Sequence, residues 1–218
     1  MGTRHLICIY WQGKWYLAQY GQWDGYPRAQ GVAILEFLSN SENVKNLKYG
    51  LEHCVHQVSA EELDAYAARK PPPSLDRTTS AKLLSIIASA GAEALQRHDE
   101  SSDQAVDVAD KIPLFLELKF VLDSIYCEWA YVIDLDTECL EVYSGPDQKK
   151  TDSHRFKSLG GPQDFVPTLV ASFGFEDLRK MTEEEFANRF EGMETSRVGR
   201  FVTYDEEGNM ILNLKGYI

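Results

Sequence analysis

The chain has 218 residues, 44% of them hydrophobic and 26% charged, which is enough apolar material for a sizeable core and too little charge excess for a disordered chain. A formal net charge of -12 argues against nonspecific nucleic-acid binding, which depends on many Lys and Arg displacing counterions, so DNA is not an expected partner. No apolar run approaches bilayer-spanning length, and Met1 to Gln12 reads as a strand instead of a secretion signal, so a cytoplasmic protein without membrane contact is expected.

In chain order, His5 to Gln12 and Trp15 to Tyr20 are β-branched and aromatic runs joined by Gly13-Lys14, the length of a tight hairpin turn. A glycine-punctuated loop follows. Val32, Leu35 and Leu38 then recur at helical spacing, so the loop ends at a helix N-terminus. Asn43 to Cys54 and Ala60 to Arg69 read as two further helices, the second opened by Ser59 and Glu62 as a capping box and stopped by Pro71-Pro72-Pro73. Thr79 to His98 is predicted helical, with Leu83, Leu84, Ile87 and Leu95 available for packing, and Asp99 to Asp110 is an acidic, solvated loop. Leu114 to Ser124 also reads as helical. Glu128 to Leu135 and Glu138 to Tyr143 flank Asp136-Thr137 as a second hairpin, whose alternation puts Trp129, Tyr131 and Ile133 on one face. After a turn at Gly160-Gly161-Pro162, Thr182 and Glu185 open a helix through Phe190, and Phe201 to Tyr204 with Met210 to Leu214 form a third hairpin. This order predicts one α+β domain over 1–218. It is an antiparallel sheet built from hairpins, with helices grouped on one or both faces and 40–112 as a helical insertion or layer.

Cys8, Cys54, Cys127 and Cys139 lie far apart without a C-x-x-C pair and read as reduced, mostly buried thiols. His53-Cys54-Val55-His56 holds three zinc donors, but on a predicted helix and without a second pair at ligand spacing, so no metal is expected. Neither G-x-x-x-x-G-K-[ST] nor G-x-G-x-x-G occurs, and no cofactor is expected. Lys149, Lys150, His154, Arg155 and Lys157 form the only basic run. It has two readings, contact with a phosphate-bearing partner such as RNA or a solvated loop.

The densest cluster of chemistry-bearing residues is Gln19-Tyr20-Gly21-Gln22-Trp23-Asp24-Gly25-Tyr26-Pro27. Its glycines permit unusual backbone angles, and aromatic faces beside a carboxylate suit a cation, above all a guanidinium stacked on Trp23 and paired with Asp24. The competing reading is a loop whose aromatics cap the sheet. Arg4 and His5, just before the first strand, place a cation and a base within reach of Asp24, while Glu128 ahead of Trp129 supplies a second carboxylate for proton transfer.

The string Met1-Gly2-Thr3-Arg4-His5-Leu6 with Tyr20-Gly21-Gln22-Trp23-Asp24-Gly25-Tyr26-Pro27 resembles a family of mostly uncharacterised proteins of filamentous fungi and bacteriophages, and Glu128 to Tyr143 looks similar as well. Small fungal proteins of this kind include the arginine-containing cyclodipeptide synthases, which join amino acids delivered on transfer RNA. That resemblance implies an enzyme acting on amino-acid-derived small molecules, with a small molecule or an aminoacyl-tRNA as substrate. Asp24, Glu128 and His5 would be catalytic, and Arg4, Gln22, Trp23, Tyr26 and Trp129 would contact substrate. Lys149, Lys150, Arg155 and Lys157 would then contact RNA. The alternative is a noncatalytic ligand-binding or regulatory module using the same loop. The opening strand and hairpin also resemble the N-terminal-nucleophile hydrolases. There, however, the first mature residue must be Cys, Ser or Thr, and here Gly2 precedes Thr3, so the implied form is that scaffold lacking its nucleophile.

Overall fold

In the computed structural model, which describes residues 2–67, 71–100, 111–123, 125–149, 151, 154–160, 165–193, 202–204 and 210–212, the first hairpin forms as its alternation predicts. Strands β1 (His5–Trp11) and β2 (Lys14–Gly21) pair antiparallel, with Trp11 opposite Lys14. The turn is Gln12-Gly13, one residue earlier than the sequence reading placed it. Both of these residues have positive φ, 49° and 73°, the mirror-image turn whose twist matches that of the flanking strands.

The helices follow on one side of the sheet. A wide turn at Pro27–Gly31 leads into α1 (Val32–Ser39), and Asn40 caps α2 (Ser41–His53) by accepting the Glu42 N–H. The sequence reading carried this helix on through Cys54 to His56. Instead, the Cys54 N–H closes the last turn on the Gly50 carbonyl, and β3 (Val55–Gln57) leaves to pair in parallel with β4 (Ile112–Leu114). That long-range pairing overrides the local periodicity. The capping box of Ser59 and Glu62 opens α3 (Ala60–Ala67), and α4 (Lys82–Glu100) crosses α2. The acidic stretch 101–110 lies outside the described residues.

Leu114 to Ser124 was predicted helical, yet it holds the end of β4 and a 3-10 turn, Leu118–Leu122. Between them the Glu117 N–H bonds the Ala18 carbonyl and the Glu117 carboxylate accepts the Tyr20 N–H, so the segment is drawn onto the outer edge of β2. With Gln57 also bonding the Tyr16 carbonyl, that edge is covered against strand addition.

The second hairpin, β5 (Trp129–Asp134) and β6 (Cys139–Lys149), is joined by β7 (Phe165–Gly174), a strand absent from the sequence reading. The main sheet runs β2-β1-β5-β6-β7, and within it β1 and β5 are parallel while the other pairs are antiparallel. An α+β fold with a mostly antiparallel sheet is therefore the architecture. Helices α5 (Phe175–Leu178) and α6 (Glu183–Asn188) follow, the latter opened by the predicted Thr182 and Glu185 capping box. The last hairpin, β8 (Val202–Tyr204) and β9 (Met210–Leu212), forms as predicted but as its own two-stranded sheet.

Alternation decides which face each strand residue takes. Ile7, Ile9, Tyr131 and Ile133 enter the larger core with Leu35 and Leu38 of α1, Leu47 and Leu51 of α2, Leu84 and Ile87 of α4, and Phe186 of α6. Leu6, Cys8, Ala130 and Val132 face the other way, where Val121 and Phe156 cover them. All four cysteines are free thiols, and Cys8, Cys54 and Cys127 are buried. No helix among the described residues is long and apolar enough to cross a membrane.

The α2–α4 crossing depends on two glycines. A Cβ on Gly91 would lie 2.1 Å from the Asn46 carbonyl oxygen, and one on Gly50 would lie 2.3 Å from that of Ile87. Gly91→Ala must therefore push two backbones apart, and we expect a loss of about 1–3 kcal/mol in stability, a typical cost of overpacking, read as a lower urea denaturation midpoint. An unchanged midpoint would show that the helices do not approach this closely.

Candidate functional site

The residues singled out at the start of β1 converge with those ahead of β5. Because His5 pairs with Trp129, Arg4 lies beside Glu128. The Glu128 N–H bonds the Arg4 carbonyl at 3.2 Å, and the Arg4 N–H points at Glu128 Oε1 at 3.4 Å. The Arg4 guanidinium stacks 4.5 Å above the Tyr126 ring. On the β2 side Arg77 stacks 5.1 Å from the Tyr20 ring, which meets Phe120 edge to face. Arg4, Tyr126, Arg77, Tyr20 and Phe120 line, with Glu117, one cavity of about 290 Å³.

The cavity has two cations and one carboxylate in an aromatic frame. Stacking on tyrosine rings holds each guanidinium without neutralising it. Burial pushes the Glu117 carboxyl above its ordinary range, while the Tyr20 N–H and the Arg77 charge pull it back. Of the lining residues only Arg4 was a candidate from sequence, and Glu128 lies beside it without lining the cavity. Tyr20 lay within the loop singled out from sequence, but Arg77 comes from one distant segment and Glu117, Phe120 and Tyr126 from another, and no local pattern marks them.

The loop itself is largely architecture. The Gly25 N–H bonds the Thr3 carbonyl at 3.0 Å, Tyr131 Oη donates to the Gly25 carbonyl at 2.8 Å, and the Gln22 N–H bonds the Arg77 carbonyl at 3.1 Å. The Tyr26 carbonyl accepts the Ala29 and Gly31 N–H groups, fixing the turn into α1. Asp24 is exposed at a φ of 54°, and Trp23 lies against Gly2 with half of its surface exposed. Trp23 and Asp24 are therefore the most exposed residues of the loop, while Gln22 and Tyr26 are half-buried. Thr3 is buried.

His5 departs from its expected role as an accessible base. It is fully buried, and neither ring nitrogen has a hydrogen-bond partner among the described residues. Its ring occupies the space left by two missing side chains, since a Cβ on Gly21 would sit 2.2 Å from His5 Cε1 and one on Gly25 would sit 2.7 Å from Nδ1. The loop glycines thus make room for an imidazole. Trp129, proposed as a substrate contact, is likewise buried, edge to face with Phe190.

The basic run divides. Lys149 and Lys157 are exposed and Lys150 lies outside the described residues, but Arg155 turns inward. Its Nε and Nη2 grip both oxygens of Glu141 at 2.5 and 2.7 Å, and Nη2 also reaches Asp134 Oδ2 at 2.6 Å. Burial opposes its charge, yet the two carboxylates raise its pKa further, so Arg155 is committed to them and not presented to RNA. The three possible zinc donors of His53–His56 do not gather into a site. Cys54 Sγ bonds the Ala90 carbonyl and His53 lies 3.7 Å from Glu52, and among the described residues no group of three donors is placed to hold a metal.

Burial lowers the His5 pKa from 6.5 to about 4, with the Thr3 carbonyl opposing. The unfolded chain takes up this proton near 6.5 and the folded one near 4, so the stability from a neutral His5 is fully present above 6.5 and declines as pH falls toward 4. We expect a decline of about 3 kcal/mol across that window, measured by urea denaturation against pH, and a flatter profile in His5→Asn. An equal slope in the variant would assign the decline to other groups.

No family model, curated protein or solved structure matches the chain.

Proposed function

We propose that this protein binds a small amino-acid-derived molecule in the cavity between Arg4, Arg77 and Glu117. The observation that carries this reading is the pairing of two ring-stacked guanidiniums with a single carboxylate at one cavity. A zwitterion is complementary to that set. Its carboxylate takes the guanidiniums, its ammonium takes Glu117, and its side chain lies along Tyr20, Phe120 and Tyr126. At about 290 Å³ the cavity is near the lower end of ligand sites, which suits a single amino acid or a compact derivative.

Arg77 is exposed, so removing its side chain leaves the core intact. Calorimetric titration with a panel of free amino acids and short peptides is expected to find a bound member, and Arg77→Ala to weaken it about ten- to a hundredfold, as the loss of a charge-assisted bond predicts. N-acetylation of the ligand removes the ammonium and weakens binding similarly. A folded protein that retains no member of the panel, or a variant that binds as well as the wild type, would overturn the reading.

A second reading adds catalysis, up to transfer-RNA-dependent assembly of an arginine-containing cyclic dipeptide. It is favoured by the upward-shifted Glu117, a carboxyl suited to proton transfer, and by the exposure of Trp23 and Asp24, an aromatic face beside a carboxylate that suits a cationic side chain. On this reading Glu117 takes the proton-transfer role first given to Glu128. Cells expressing the wild type would accumulate a small product absent from cells expressing Glu117→Gln or Asp24→Asn. Identical metabolite profiles with soluble protein in all three would leave binding alone.

A further inference from the structure

The two edges of the main sheet are finished differently. The β2 edge is covered, since the Glu117 segment and the Gln57 side chain take up its backbone groups. At the other edge β7 has β6 on one side and no strand on the other. Its first half is guarded by Pro167, which has no N–H and whose carbonyl is taken by His154 Nε2 at 2.9 Å, and by three irregularities in the register with β6. From Ala171 to Gly174 the register is regular, and this stretch carries neither a charge nor a proline. The direction of its backbone groups follows from one bond. The Phe175 N–H reaches the Glu138 carbonyl, and alternate residues of an antiparallel ladder turn to the neighbour, so Phe173 and Ala171 bond β6 while Ser172 turns its N–H and carbonyl outward. Neither Ser172 group has a partner among the described residues, and Gly174 turns its N–H out on the same side.

The open stretch of β7 is one wall of a groove of about 920 Å³, whose other wall is α5, the turn after it and α6. Val170, Ala171 and Met181, all half-buried, supply apolar surface there. Four exposed charges also line it, Asp177 and Glu185 against Lys180 and Arg189. None of the four makes an ion pair among the described residues, although the neighbouring Arg179 pairs with Glu176. The groove is thus locally neutral on a chain of net charge -12, so two copies can meet here without the repulsion that the rest of their surfaces carries. A patch that complements itself across a two-fold axis needs both signs in equal number, and a strand edge that pairs antiparallel with its own image. An acidic or a basic peptide would call for an excess of one sign. We infer that β7 is the contact of a homodimer. Ser172 faces its two-fold mate, each N–H donating to the other's carbonyl, and the five-stranded sheet runs on into that of the second copy, whose bases complement the acids of the first.

Sedimentation equilibrium of the full chain between roughly 1 and 100 μM, a range that spans the dissociation constants of weak and moderate dimers, reads the mass directly. The expected result is a concentration-dependent rise from 24.7 kDa toward twice that mass. Ser172→Pro removes an outward donor and no bond to β6. It is expected to keep the far-ultraviolet spectrum and melting temperature of the wild type and to weaken the dimer at least about tenfold. Should that variant misfold, Lys180→Glu on the exposed turn serves in its place, because it makes the patch acidic and gives a similar loss. Adding Asp177→Lys to it restores the balance of signs and recovers the dimer. Hydrogen exchange at the Ser172 amide identifies any other occupant. Four outcomes overturn the inference. A monomer at every concentration with a protected Ser172 amide means that the chain covers its own edge, and a monomer with an unprotected one means that the edge stays open. A dimer that survives Ser172→Pro or Lys180→Glu lies on another surface, and a double variant no better than Lys180→Glu removes the complementarity of charge. None of these bears on the Arg4 and Arg77 cavity, which fails or stands on its own titration.

Discussion

The parallel pairing of β1 with β5 is the constraint on which the rest of the molecule depends. From His5 opposite Trp129 to Tyr10 opposite Asp134, six consecutive pairs join strands 124 residues apart in sequence. Apart from Tyr10, which is partly exposed, both strands are buried on both faces across these pairs, so each carries apolar side chains in both directions where an edge strand would alternate with polar ones. A parallel neighbour cannot be reached by a tight turn, and the intervening chain supplies the helices that cover one face of the sheet. Each hairpin then extends the sheet outward on its own side, giving the order β2-β1-β5-β6-β7.

The charged constellations at both ends of this pair are consequences of that register. At one end it sets Arg4 beside Glu128, and the segment that covers the edge of β2 brings Glu117 up to Tyr20. At the other end it sets Tyr10 beside Asp134, and Arg155 closes over both, its guanidinium 5.3 Å from the Tyr10 ring. A slip of one residue would send each strand's apolar set to the wrong face and separate both constellations at once.

The two ends handle cationic charge differently, and that difference separates their chemistry. Arg155 is held within a network of two carboxylates and a tyrosine, an arrangement whose desolvation cost offsets much of its attraction and whose worth lies in fixing geometry. Arg4 and Arg77 instead rest on aromatic rings that leave their charge available to a ligand. The glycine-rich loop between them behaves as a support. Its glycines admit a buried imidazole, its carbonyls anchor neighbouring segments, Tyr20 turns to the cavity, and Trp23 and Asp24 are its exposed tip.

Local pattern determined the hairpins, the capping boxes at Ser59 and Thr182, the inward set of Trp129, Tyr131 and Ile133, and the α+β class, because these follow from side-chain period and turn chemistry within a few residues. Composition also marked Arg4 and Glu128 as chemically notable. Tertiary structure alone decided that β1 and β5 are parallel neighbours, that Val55–Gln57 is a strand, that Phe165–Gly174 joins the sheet, and that Arg155 faces inward. It also decided that His5 is sealed in the core while Arg77 and Glu117 meet Arg4 across one cavity. The physical reason is common to all of these. A backbone hydrogen bond, a buried charge or a cavity wall is satisfied by whichever group lies nearest in space, and a single chain read alone does not encode that distance in the spacing of its residues.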